Sequence, residues 1–270
     1  MTAAQRLADV LKPAVDLVYP PRCPLCGDAI AEQKGLCAPC WSQLVIPGEP
    51  SCVTCQRPFS DAFAAPEMQC APCMAKPPKH DGIAAGTLYN DASRKLILAF
   101  KHGRRIALAD MMAQLIAARL PKLEGNWLLI PVPLHRTRLW HRGFNQAGLL
   151  ARRLGQLTGH SLLVDGLVRT QRTQSLGGLG RKARERALSG AIAVNSTHSD
   201  RLKGAKIVLV DDVLTSGATS DACVRSLKKG GAESVIIACF SRVLNEAVRN
   251  SPDQESETPE IRKSRAPRDE

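Results

Sequence analysis

Residues 207–219 read Ile-Val-Leu-Val-Asp-Asp-Val-Leu-Thr-Ser-Gly-Ala-Thr, and this run constrains the fold more than any other part of the chain. Ile207 to Val210 are unbroken apolar residues, mostly β-branched, a pattern that suits a parallel strand covered on both faces. The strand runs into Asp211 and Asp212 at its open end. Thr215, Ser216, Gly217 and Thr219 then offer hydroxyls and backbone N–H groups where the next helix begins. A helix N-terminus carries about half a positive charge and several unpaired N–H groups, so this turn is a cradle for an anion such as phosphate. The acids cannot share that ligand, because carboxylates only accept, and they take hydroxyls or a hydrated Mg²⁺. An acid pair beside a phosphate cradle therefore points to a sugar phosphate, with the diol on Asp211 and Asp212 and the phosphate on the turn. A purely architectural reading fits less well, since adjacent carboxylates at a buried strand end repel each other and need a compensating partner.

The same run resembles the phosphoribosyl-pyrophosphate (PRPP) signature of type I phosphoribosyltransferases. That resemblance implies that Asp211 and Asp212 hold the ribose hydroxyls, with Mg²⁺ accompanying PRPP. It also implies that Thr215, Ser216, Gly217 and Thr219 hold the 5′-phosphate.

Eight of the ten cysteines fall between 23 and 73, in four Cys-x-x-Cys pairs. Secreted disulfide scaffolds seldom use such pairs throughout, and no cleavable signal precedes them, so the pattern suits a reducing cytoplasm. Each knuckle brings two sulfurs to one side of an ion, and two knuckles complete tetrahedral Zn²⁺. We assign Cys23, Cys26, Cys37 and Cys40 to one structural zinc and Cys52, Cys55, Cys70 and Cys73 to a second, an interleaved pairing being the alternative. Few apolar residues accompany them beyond Trp41, Leu44, Phe59 and Phe63, so metal binding is expected to drive folding of this segment.

The rest of the chain divides around these landmarks. Residues 1–22 have Leu7, Val10, Leu11, Ala14, Leu17 and Val18 at helical spacing and read as an amphipathic helix. The double zinc ribbon occupies 23–73, and 74–82, with paired prolines and polar neighbours, reads as a linker. An α/β domain follows over 83–250, with an edge strand at 83–90, helices at 91–101 and 107–120, and a strand at 127–132. A basic loop leads to a helix from about 147 to 157, and a further helix and strand are expected at 218–229 and 234–240. Cys223 and Cys239 read as small buried hydrophobes. The tail, 251–270, is too polar to fold. No run approaches the roughly 18 apolar residues of a membrane span.

The net charge of +12 is unevenly placed: residues 1–100 carry nine basic and nine acidic side chains, whereas 101–186 carry sixteen against four. Such a band faces polyanions: pyrophosphate, nucleic acid or an anionic membrane surface, with a merely solvated basic face as the bland alternative. Trp140 and Phe144 lie within it as base-stacking platforms or as core residues.

The phrase Pro-Val-Pro-Leu-His-Arg at 131–136, followed by Arg-Gly-Phe-Asn-Gln-Ala at 142–147, resembles the ComF competence family. Its members join an N-terminal zinc-ribbon module to a phosphoribosyltransferase domain, and the likeness covers nearly the whole chain except the tail. It implies a phosphoribosyltransferase-type parallel sheet flanked by helices. It also implies that 133–146 is the pyrophosphate loop, with Arg142 and Gly143 as contacts, and that 169–190 is a mobile catalytic loop. The chain departs from the family pattern at Leu176 and at Ala187-Leu188. The role implied is support of DNA uptake in natural transformation, with PRPP, single-stranded DNA and the uptake machinery as partners. The alternative is a phosphoribosyltransferase acting on a nucleobase or other small acceptor, unrelated to DNA.

Overall fold

The computed structural model describes residues 20–32, 35–59, 67–102, 105–170, 186 and 190–244. The expected N-terminal helix, the tail, and most of the 169–190 loop, including Leu176, Ala187 and Leu188, lie outside the described residues. In chain order the elements are helices α1 (Ala38–Trp41) and α2 (Ala71–Ala75), strand β1 (Gly82–Leu88), helices α3 (Asp91–His102) and α4 (Leu108–Ala117), and strand β2 (Trp127–Pro131). Helices α5 (Arg136–Arg142) and α6 (Gln146–Thr158) follow, then short strands β3 (Ser161–Leu162), β4 (Leu167–Arg169) and β5 (Ile192–Val194). The last elements are α7 (Ser199–Leu202), β6 (Lys206–Leu214), α8 (Ala218–Lys229) and β7 (Ser234–Arg242).

Five parallel strands form one sheet in the order β1-β7-β6-β2-β3, with β4 and β5 as a separate antiparallel pair. Parallel strands must be covered on both sides, and the two cores show how. On one face Val208, Val210, Ile236 and Phe240 pack with Leu96 and Phe100 of α3, Met112 and Ile116 of α4, and Leu150 and Leu154 of α6. On the other, Ile207, Leu209, Val235 and Ile237 pack with Val224 and Leu227 of α8, with Ile192, and with the second set of cysteines. Helix α3 starts where Asn90 and Ser93 cap each other: the Ser93 amide donates to Asn90 Oδ1 at 2.9 Å and the Asn90 amide to Ser93 Oγ at 2.8 Å.

Two expectations change. Strand β6 does not end at Val210 but continues through the acids to Leu214, because β7 also runs on to Arg242 and pairs with it, Val213 opposite Ser241 and Leu214 opposite Arg242. The region 133–146 is not an open loop: α5 fills it, capped by His135 and closed by Gly143, whose φ of +77° is the left-handed conformation that favours glycine. Cys223 and Cys239 are both fully buried, as their isolation suggested.

The cysteine-rich segment is tied to the sheet domain. The Leu88 amide donates to Val45 O at 2.7 Å, Asn90 Nδ2 to Gln43 O at 2.7 Å, and Gln56 Nε2 to Arg119 O at 3.1 Å. Arg242, at the end of β7, donates to the carbonyl of Cys55. The 74–82 stretch is no loose tether, since Asp81 accepts from the Val235 amide at 2.7 Å and pairs with Lys228 at 2.8 Å.

Candidate phosphate site and cysteine centres

The sheet order fixes where a ligand would sit. From β2 the chain leaves toward β3, and from β6 it leaves in the opposite direction toward β7. Loops that diverge from adjacent strands open a crevice at their C-terminal ends, the ordinary ligand position in such sheets. The turn 215–217 and the start of α5 both lie at that end.

Gly217 stands at φ +76° as the N-cap of α8, a conformation that lets the chain reverse from strand into helix within three residues. The twelve-residue helix behind it points its free N–H groups and the positive end of its dipole at the turn. Thr215 is exposed and Ser216, Gly217 and Thr219 are partly buried, so the cradle is open to a ligand on one side.

The two acids diverge, because successive side chains on a strand face opposite ways. Asp212 meets Lys101 of α3, with Nζ 2.6 Å from Oδ2. Asp211 lies on the α8 side: burial first, and its charge second, push up the thiols of Cys223 and of Cys239, the latter to about 12. Burial and then the neighbouring Asp212 charge push the Asp211 carboxyl well above the usual carboxylate range, with Lys101 opposing. The compensating partner that the repelling pair requires is therefore a lysine from another helix, invisible in the local sequence. Gly143 is exposed at the end of α5, and Arg142 occupies that helix's last turn.

A cavity of about 480 Å³ adjoins the turn. Thr215, Ser216 and Gly217 form one wall, and Arg57, Lys76, Lys79 and His80 line it from the cysteine-rich side. Arg225 and Arg242 add positive charge, against the carboxylate of Asp221. None of these basic residues was marked by the sequence as part of a site. Lys76 to His80 carry only the composition of a linker, and the fold alone brings them to the turn. Burial, followed by the Arg242 charge, holds His80 down to about 4, so it is neutral at pH 7. A larger cavity, about 720 Å³, lies between residues 30–32, Gly35 and Leu36 on one side and helices α4 and α6 on the other, but its Arg153 is already paired with Asp110 at 2.6 Å.

The cysteines form two separate groups, Cys23, Cys26, Cys37 and Cys40 in one and Cys52, Cys55, Cys70 and Cys73 in the other, with sulfurs within 4.8 Å of one another in each. Cys26 and Cys37 are 3.5 Å apart and Cys55 and Cys70 3.6 Å. Four sulfurs about 2.3 Å from a tetrahedral Zn²⁺ stand roughly 3.8 Å apart, so both groups fit zinc ribbons. One thiol in each is prepared to ionise. Burial opposes it, but amides of Cys26, Cys37 and Leu25 hold Cys23 down to about 6. Amides of Cys70, Cys55 and Thr54 do the same for Cys52, also to about 6.

These features define a class: a double zinc ribbon fused to a phosphoribosyltransferase-type domain. Residues 14–75 match the double zinc ribbon domain family, and 141–263 match the phosphoribosyl transferase domain family. The chain is 29% identical over 235 residues to the DNA utilization protein YhgH of Salmonella typhimurium, covering 84% of this chain and 100% of that one. It is 28% identical to the competence protein F of Haemophilus influenzae, covering 82% of this chain and 96% of that one. To the competence protein ComFC of Bacillus subtilis it is 31% identical over 150 residues, 54% of this chain and 58% of that one. The chain thus joins the two domain families and is similar over most of its length to DNA utilization and competence proteins. Among the described residues no helix is long and apolar enough to cross a membrane.

Proposed function

We propose that the protein binds PRPP with Mg²⁺ and handles single-stranded DNA in the cytoplasm, in support of DNA uptake. Asp211 and Asp212 take the ribose and its hydrated cation, Thr215, Ser216, Gly217 and Thr219 take the 5′-phosphate, and Arg142 and Gly143 take the pyrophosphate. Bound Mg²⁺ would neutralise part of the pyrophosphate charge. A cation held at Asp212 would have to displace Lys101, which now pairs with that carboxylate at 2.6 Å. Zinc at both cysteine groups holds the N-terminal module.

The observation that carries the DNA reading is Trp140, which is 84% exposed on α5, while Phe144 packs on Phe100 with ring centroids 6.1 Å apart. Of Trp140 and Phe144, the second is thus core and the first offers a face to solvent. Base–aromatic stacking is worth about 1–3 kcal/mol per base and tolerates any sequence. Arg105, Arg136 and Arg152 are exposed in the same band. The names of the relatives, DNA utilization and competence, support the same role.

The test is a salt titration of fluorescent oligonucleotide binding with and without PRPP. Several phosphate contacts should give a log–log slope of several units, about −0.7 per contact. A strand bound weakly, erased by PRPP and with pyrophosphate released only when a small acceptor base is added, would favour a phosphoribosyltransferase unrelated to DNA.

A further inference from the structure

The cavity beside the 215–217 turn is built from both halves of the molecule. Its floor is the N-terminus of α8, and its opposite wall is the second cysteine group with the segment that follows it, Lys76 to His80. The positions of Cys55 and Cys73 in that wall are set by their cluster, and Arg242 is anchored on the carbonyl of Cys55. A second feature, independent of the helix terminus, also asks for a ligand. His80 lines the cavity, is only 9% exposed, and its Nδ1 has no hydrogen-bond partner. A buried ring nitrogen without a partner costs free energy unless a ligand or water supplies one. The volume, about 480 Å³, exceeds what one phosphate needs and lies within the roughly 300–1,000 Å³ of small-molecule sites.

We infer that the second zinc ribbon is a working wall of the phosphate site: a pentose 5-phosphate binds between the 215–217 turn and Lys76, Lys79 and His80. Occupancy of the second cysteine group, and not of the first, therefore controls binding. The inference rests on the sugar-phosphate reading of the turn and adds to it a set of ligands from outside the phosphoribosyltransferase domain. The chemistry is complementary on both sides. The turn supplies backbone donors at fixed positions, whereas the lysines supply mobile charge that closes over the phosphate. The first cysteine group has no part in this cavity, whose lining comes from residues 55–83 and from the sheet domain.

The experiment measures ribose 5-phosphate and PRPP with Mg²⁺, each by calorimetry, against the full zinc-loaded chain. It is repeated for Lys76→Gln with Lys79→Gln, and for Cys26→Ser. The lysines are exposed, so the double variant should fold, and circular dichroism with zinc content confirms it. Both ligands should weaken roughly tenfold or more in the lysine variant, as expected for lost charge-assisted hydrogen bonds, and stay within about twofold in Cys26→Ser. PRPP binding unchanged by the lysine substitutions overturns the inference and leaves the PRPP reading standing. Ribose 5-phosphate binding that depends on the lysines, with no PRPP binding, sustains the inference and removes the PRPP reading. Failure of the wild-type chain to bind either ligand removes both.

Discussion

The two cysteine groups share their spacing logic and differ in everything around them. In the second, all four cysteines are buried and belong to the same core as Ile83, Leu209 and Ile237. In the first, only Cys23 and Cys40 are buried, Cys26 is exposed, and the contacts reach the opposite face of the sheet through Leu25, Leu36 and Leu44. The same set of four thiols thus sits once as a surface clip and once as part of the interior. What separates them is the neighbourhood that the chain folds around each, and not the ligands.

The largest test of that contrast removes one sulfur from each group. Cys52→Ser should lose one zinc and lower the thermal midpoint by on the order of 10 °C, since the cluster is continuous with the sheet core. Cys26→Ser should also lose one zinc but shift the main transition by only about 3 °C. Equal shifts in a calorimetric scan would erase the distinction.

Acid sharpens it further through His80, beside the second group. Its folded pKa lies below the ordinary 6.5, at about 4, so the unfolded chain binds more protons between those values. Stability is therefore complete above pH 6.5 and declines as pH falls toward 4, by on the order of 3 kcal/mol. His80→Gln, compared with wild type at equal zinc content in urea melts, should flatten that decline. An identical pH profile would show that His80 takes no part in it.

Two smaller effects belong to the sheet domain. Trp140→Ala should weaken single-stranded DNA binding by about 1–3 kcal/mol without changing PRPP affinity. A loss of both together would mean that Trp140 supports the fold instead of a strand. Asp211→Asn should stabilise the ligand-free protein at pH 7 by about 1 kcal/mol while abolishing PRPP binding. The sign follows from its raised carboxyl pKa: the stability that Asp211 lends is present below its unfolded value and lost as pH rises through the folded one. Denaturant midpoints at pH 5 and 8 read this directly.

Much of this was legible in the chain itself, for reasons that differ by region. Periodicity and apolar runs marked β1, α3, α6, α8 and β7 to within a few residues, because each buries a face against a sheet and its sequence must show it. Cysteine spacing gave the knuckles, since two thiolates on one ion require a tight turn. The limits appear where contacts are long-range. Nothing near residue 211 announces Lys101, and nothing in Lys-Pro-Pro-Lys-His distinguishes a tether from a wall. The continuation of β6 through Asp211 and Asp212 was hidden because its cause, the matching length of β7, lies in another strand. Helix α5 was missed because its basic composition suggested a loop more strongly than Arg136–Arg142 suggested a helix.

The pairing of β1 with β7, Gly82 opposite Ile236, also dictates an order of events during synthesis. At ribosomal rates of about 5–20 residues per second, β1 waits roughly eight to thirty seconds for its partner strand to emerge. The last knuckle cysteine, Cys73, is made before β1, so both groups can take up metal while the sheet does not yet exist. During that interval the face of the second group destined for Leu214 and Ile237 has nothing against it. Metal loading then does more than stabilise the finished protein. Bound zinc would hold the eight thiols in two correct sets, out of reach of oxidation and mispairing, and would guard the second set until the far end of the chain arrives to cover it.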